Sequence, residues 1–203
     1  MRNLTINLNN TDSIDRKILL YQKGRVDGYM PLYNLVWRKV TVPPNSITPF
    51  TWNERYCFCI GKKHGDHHFN TLASREANPG DQVVIDVDYG SSEMIFGRLT
   101  PNDSRNDFMI TTGNFNPMAL KSDDCVGLGI DNKLFNVATR IQPAMNYVFT
   151  PLPDYYLLAS DKFNEGDQLT DEIEEMSKRL EFSSSGIIDI TITRESWRVI
   201  MPG

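Results

Sequence analysis

No stretch of this 203-residue chain approaches the ~20 consecutive apolar residues that a transmembrane helix needs, so no membrane span is predicted. There is no basic surplus either. A net charge of −5 and a pI near 5.2 argue against a nucleic-acid partner, which selects a basic stripe. Lysines and arginines form no run longer than Lys62-Lys63, which excludes a polybasic membrane anchor. The N-terminus, MRNLTINLNN, has no apolar h-region, and the expectation is an unsecreted, cytoplasmic protein. Cysteine is scarce: Cys57, Cys59 and Cys125 are odd in number and form no spaced framework, so reduced thiols are expected. Repeats, low-complexity tracts and linkers are also missing. One domain over residues 1–203 is expected, a common length for an undivided β domain and one that buries roughly 70% of its unfolded surface.

What is present is β grammar. Leu4, Ile6 and Leu8 alternate with polar residues, and Ile18–Gln22 forms a second run before turn-rich Gly24–Pro31. Val36–Gly61 packs three short β-type runs into 26 residues, broken by Pro43-Pro44-Asn45-Ser46 and by Asn53-Glu54. Val83, Ile85, Val87 and Tyr89 give the cleanest half-buried strand. Shorter runs follow at Met94–Leu99, Phe108–Thr112, Val126–Ile130, Leu134–Ile141, Tyr147–Thr150 and Tyr155–Ala159. Ile187–Thr193 and Trp197–Met201 close the chain as a predicted hairpin. About twelve short strands at regular spacing predict an all-β, mainly antiparallel β-sandwich. One helix near 171–180 interrupts it. Asp171 and Glu174 read as a capping box, and Ile173, Met176 and Leu180 form a stripe for the sheet.

Several of these residues also carry a likeness. Tyr21-Gln22-Lys23, Trp37-Arg38-Lys39-Val40, Pro43-Pro44, Phe50-x-Trp52 and Tyr56-x-Phe58 stand in the N-terminal half. Gly127-x-Gly129, Gln142-Pro143, Asn146-Tyr147-x-Phe149-Thr150-Pro151, Tyr155-Tyr156 and Gly166-Asp167 follow in the C-terminal half. In order and approximate spacing they resemble the RhiA-like family, small bacterial proteins named for a rhizosphere-expressed member. The likeness covers most of the chain and rests on packing and turn residues. It departs at Leu152, where the family pattern has a histidine between two prolines. The resemblance implies a compact β fold and carries over no catalytic residue.

Three constellations offer chemistry. His64-Gly65-Asp66-His67-His68 holds every histidine of the protein, and imidazoles with a carboxylate can bind a borderline divalent metal. In a tight loop His64 and His67 can share one ion; in an extended strand His67 and His68 point apart. The plainer reading is a solvated loop, because HExxH is absent and the cysteines show CxC rather than CxxC. Cys57 and Cys59 share a strand face and read as small buried hydrophobes. Asp86 and Asp88 share another, with Asp123, Asp124 and Asp131 as further oxygen donors for Ca²⁺ if the fold converges them. Gly127-Leu128-Gly129 lacks the third glycine and the helix of a phosphate loop, and Asp131-Asn132-Lys133 reads instead as a hairpin turn. Ser183-Ser184-Ser185-Gly186 is a loop without a nucleophile elbow.

Aromatics supply a further set: Trp37, Trp52, Tyr56, Tyr155, Tyr156 and Trp197. Core packing is the ordinary fate of each. Tyr155 and Tyr156 are adjacent in a strand, so one must face outward or line a cavity. Phe50, Trp52, Tyr56 and Phe58 are expected to share one face of a hairpin turning at Asn53-Glu54, with Trp52 buried among them. Trp52, Tyr155 and Tyr156 are the candidate ligand-binding residues, and His64, Asp66, His67 and His68 the candidate metal ligands. The favoured reading is a non-catalytic binding protein without cofactor, taking a small apolar or aromatic molecule, a glycan or a protein partner. Two alternatives stand beside it: a metal-assisted enzyme built on the histidine cluster, and an assembly subunit that forms homo-oligomers through open sheet edges.

Overall fold

A computed structural model describes residues 2–27, 32–101, 106–182, 185–193 and 197–200. The chain opens with β1 (Asn3–Asn10), β2 (Arg16–Asp27), β3 (Leu32–Asn34), β4 (Arg38–Val42) and β5 (Ser46–Asn53). It continues through β6 (Tyr56–His64), β7 (His68–Glu76), β8 (Gln82–Asp88), β9 (Glu93–Thr100) and β10 (Phe108–Thr112). After a 3₁₀ turn at Pro117–Ala119 come β11 (Asp124–Ile130), β12 (Lys133–Thr139) and β13 (Asn146–Ala159). A helix α1 (Asp171–Met176) precedes β14 (Lys178–Leu180), β15 (Ile187–Ile192) and β16 (Trp197–Ile200).

These strands form three sheets, ordered β16-β15-β1-β5, β4-β2-β13-β10-β8-β9 (with β14 on β13) and β3-β12-β11-β6-β7. The all-β, mainly antiparallel expectation holds, with two parallel pairs, β1 with β15 and β8 with β10. One apolar cluster draws on all three sheets: Ile6 and Trp52 from the first, Ile85 and Tyr155 from the second, Phe58 and Phe135 from the third. The β15–β16 hairpin forms as predicted, with Met201 outside the described residues. The β11–β12 turn also forms, with Asp131 and Asn132 at φ of 50° and 64°, the left-handed pair a two-residue hairpin needs.

More strands form among the described residues than the twelve expected, and the additions have weak periodicity for a reason. β7 is a sheet edge that buries only Phe69, so its sequence carries almost no alternation. Conversely, two predicted runs, Tyr147–Thr150 and Tyr155–Ala159, are one strand, β13, paired with β2 on both sides of Pro151–Tyr155. Prolines cannot donate to a ladder, so the register shifts there. The buried Gln22 side chain donates to the Leu152 carbonyl across the gap at 2.7 Å. β2 itself runs on to Asp27, through part of the expected loop; Gly28–Pro31 lie outside the described residues.

Two expectations are overturned. β5 and β6 form no hairpin: β5 pairs with β1 in one sheet, whereas β6 lies between β11 and β7 in another. The chain turns a corner at Glu54-Arg55, where Arg2 holds Glu54 through two 2.8 Å hydrogen bonds. The helix stops at Met176 after six residues, and Lys178–Leu180 joins the second sheet instead. Met176 is 68% exposed while Leu180 is buried, so no helical stripe forms between them. The cap is Thr170, not Asp171. Glu174 points away from any capping box and receives Asn34 and Lys23, each at 2.8 Å. A propensity worth a few tenths of a kcal/mol per residue loses to pairing with a central strand.

Candidate functional site

The segment 163–170 is a strap laid across two sheets. Its backbone bonds Val36 on one side (Gly166 N–H to Val36 O, 2.8 Å) and β7 on the other (Phe69 N–H to Gly166 O, 2.9 Å). Asp167 organises the turn by accepting the Asn164 N–H at 2.7 Å. Gly166 sits at φ +86°, and a Cβ there would lie 2.3 Å from the Phe69 carbonyl oxygen. Only glycine fits this crossing. Leu19, Tyr21 and Leu158 of the second sheet pack beneath it with Val36 and the strap's own Leu169.

Between the strap, β7 and the β11–β12 turn lies a groove of about 490 Å³. Phe69, Leu134 and Trp37 supply its apolar floor; Asn70, Thr71, Asn132, Lys133 and Glu165 supply its polar rim. The floor is tightly held. Trp37 is buried, its Nε1–H donating to the Ile130 carbonyl at 2.9 Å. The rim is organised by charge. Glu165 pairs with Lys133 and accepts the Lys39 N–H at 3.1 Å. Burial works to raise the Glu165 carboxyl, but Lys133, the Lys39 N–H and Arg38 outweigh it and hold it below the usual range. It therefore stays ionised at neutral pH and serves as an acceptor.

The histidine cluster divides at one end of this groove. His64, Asp66 and His67 are exposed on the β6–β7 turn, whereas His68 pairs back to His64 and turns to the strap. Its Nδ1 lies 2.7 Å from Asp167 Oδ1 and its Nε2 2.8 Å from Asn70 Oδ1. A metal at His68 would have to displace one of these oxygens. No group of three His, Cys, Asp or Glu side chains converges among the described residues. Asp88 is occupied with its own turn: Ser91 Oγ, the first cause, and the Gly90 N–H hold its carboxyl low.

The aromatic candidates divide too. Trp52 and Tyr155 meet in the core with ring centroids 5.0 Å apart, among Trp37 and Phe182, and neither offers a ring face to solvent. Tyr156, on the opposite face of β13, stacks on Tyr21 at 5.3 Å beneath the Lys23 ammonium. The strand alternation read from the sequence is thus observed, and Tyr156 alone of the three stays partly exposed. Tyr56 and Phe58 pack on Phe108 rather than on Trp52. Trp197 lies in β16, outside the described side chains.

Sequence reasoning missed the groove because its walls come from residues 37, 69–72, 132–134 and 165–166. The one available signal was Gly166-Asp167, a turn pair in a segment with little apolar periodicity.

Three curled sheets that share one large apolar cluster, with a polar groove under the strap, define an all-β protein. The chain belongs to the RhiA family, whose sequence model matches residues 2–200. No curated protein and no solved structure matches it. Among the described residues no helix is long and apolar enough to cross a membrane.

Proposed function

We propose that the protein acts by binding, and that the strapped groove receives a glycan or a similar polyhydroxylated molecule. The observation that carries this reading is the groove's composition. Its volume of about 490 Å³ falls within the roughly 300–1,000 Å³ of ligand pockets. Its rim alternates amides (Asn70, Asn132), a hydroxyl (Thr71) and an ion pair (Lys133 with Glu165), which suits a ligand that donates and accepts at each hydroxyl. The apolar alternative is poorly served, since Trp37 and Phe69 present little ring area and the inter-sheet space is filled.

The test is titration of labelled protein with a panel of mono- and oligosaccharides, read by amide shifts at Asn70, Asn132 and Lys133. Saturable shifts confined to the groove are expected. Glu165→Gln and Asn70→Ala should weaken binding about tenfold each, near 1.4 kcal/mol, without moving the melting temperature by more than a few degrees. Absence of groove shifts with every saccharide at millimolar concentration, or undiminished binding by both variants, would remove this reading.

A further inference from the structure

Under the groove floor lies a group that glycan binding does not use. Cys57 and Cys59 project from the same face of β6, both buried, with their sulfurs 3.6 Å apart. They sit in a small cluster with Leu35, Phe69, Cys125, Leu134 and Val137. Phe69 and Leu134 belong to this cluster and to the groove, so the thiols lie one side chain beneath it. The space for both sulfurs exists because the facing residue on β11 is Gly129. A Cβ there would come within 2.6 Å of Cys59 Sγ and 2.9 Å of Cys57 Sγ.

We infer that Cys57 and Cys59 form a bidentate dithiol site for a soft trivalent centre of the arsenic(III) class. Geometry selects among the chemistries open to a thiol pair. A disulfide is disfavoured: two strand rises separate the Cα atoms by roughly 6.6 Å, at the upper limit of disulfide geometry. Structural zinc needs four donors, and no third donor joins this pair among the described residues. Bonds of about 2.3 Å, the length zinc makes to sulfur, would meet at about 100° over a 3.6 Å separation. That angle is pyramidal, and it rules out a linear two-coordinate ion.

The charge balance agrees with the burial. Arsenous acid, As(OH)₃, reacts with two thiols so that two As–S bonds form and two As–O bonds break. Each thiol proton leaves on a departing hydroxyl as water. The product is neutral, needs no oxidant, and places no net charge among apolar side chains. Cys57 is the more readily deprotonated of the pair. The contact from Cys59 lowers its thiol pKa against the opposing effect of burial, and N–H groups of Asn132 and Gly129 add to the lowering. Cys59 and Cys125 are both pushed up, Cys125 to about 12 by burial, so they enter as thiols.

The experiment is to add inorganic arsenite to the reduced, folded protein and to follow stoichiometry, melting temperature and arsenic X-ray absorption. One arsenic per chain, two sulfur neighbours and a raised melting temperature are expected, since a ligand held by the native state stabilises it. Cys57→Ser and Cys59→Ser should each abolish binding, while Cys125→Ser should retain it. If the first two variants do not fold, the wild-type sulfur count and melting shift decide alone. No bound arsenic, a lowered melting temperature (capture of unfolded chain), three sulfur neighbours, or loss of binding in a folded Cys125→Ser variant would each overturn the site.

Discussion

Trp52 shows how a single side chain ties the molecule together. It pairs across to Leu4 in the first sheet, yet its ring meets Tyr155 of the second, Phe182 beyond it, and Trp37 near the third. Edge-to-face contacts at 5.0–5.7 Å suit the quadrupoles of these rings. Trp52→Ala is expected to cost about 3–5 kcal/mol in denaturant unfolding, the range for a large buried aromatic. A loss below about 1 kcal/mol would mean that the ring does not join the sheets. Burial of Trp52 was legible from the sequence; its neighbours were not. The expected partners Tyr56 and Phe58 sit in another sheet, because the turn at Glu54-Arg55 changes sheets rather than reversing the strand.

Among the elements, the strap over residues 163–170 has the least regular structure and positions the most of the groove. It holds Glu165 against Lys133 and Asp167 against His68, and its backbone joins Val36 to Phe69. Because Gly166 is left-handed and a Cβ there would lie only 2.3 Å from the Phe69 carbonyl oxygen, Gly166→Ala should destabilise the protein by roughly 1–3 kcal/mol. Hydrogen exchange should show faster exchange at Gly166 and Phe69 while core amides such as Ile85 remain protected. Unchanged protection at both amides would mean that the strap is not held by this crossing. Strand β14 teaches the complementary lesson: Lys178–Leu180 looks helical until Leu180 has Tyr155 to pair with.

For the whole molecule, buried hydroxyls and thiols predict how stability responds to alkali. Burial raises Tyr21 and Tyr56 to about 12 and Cys125 likewise to about 12, above ordinary values of 10.0 and 9.0. Each group keeps its proton in the folded state where the unfolded chain loses it. Above pH 9 the native state thus binds more protons, and stability falls as pH rises. The contribution is full below pH 9 and is lost through pH 12. Denaturant midpoints should be flat with respect to these groups below pH 9 and fall steeply from there to 12, Tyr21 and Tyr56 losing their protons with unfolding. Ionisation of Tyr21 or Tyr56 near pH 10 in a still-folded protein would contradict this burial.

The sequence by itself determined the class, the strand alternation, the β11–β12 and β15–β16 hairpins and the burial of the alternating residues. These follow from local rules: a period of two, turn residues at fixed offsets, and apolar side chains leaving water. Only the tertiary structure decided which strands pair, that β15 returns to lie parallel to β1, and that β5 and β6 part company. It also decided that Phe69, Asn132, Lys133 and Glu165 surround one groove, with Cys57 and Cys59 beneath it. Those outcomes depend on contacts between residues tens of positions apart. Local sequence specifies which face of a strand is apolar, but the competition among all such faces for one core selects the partner.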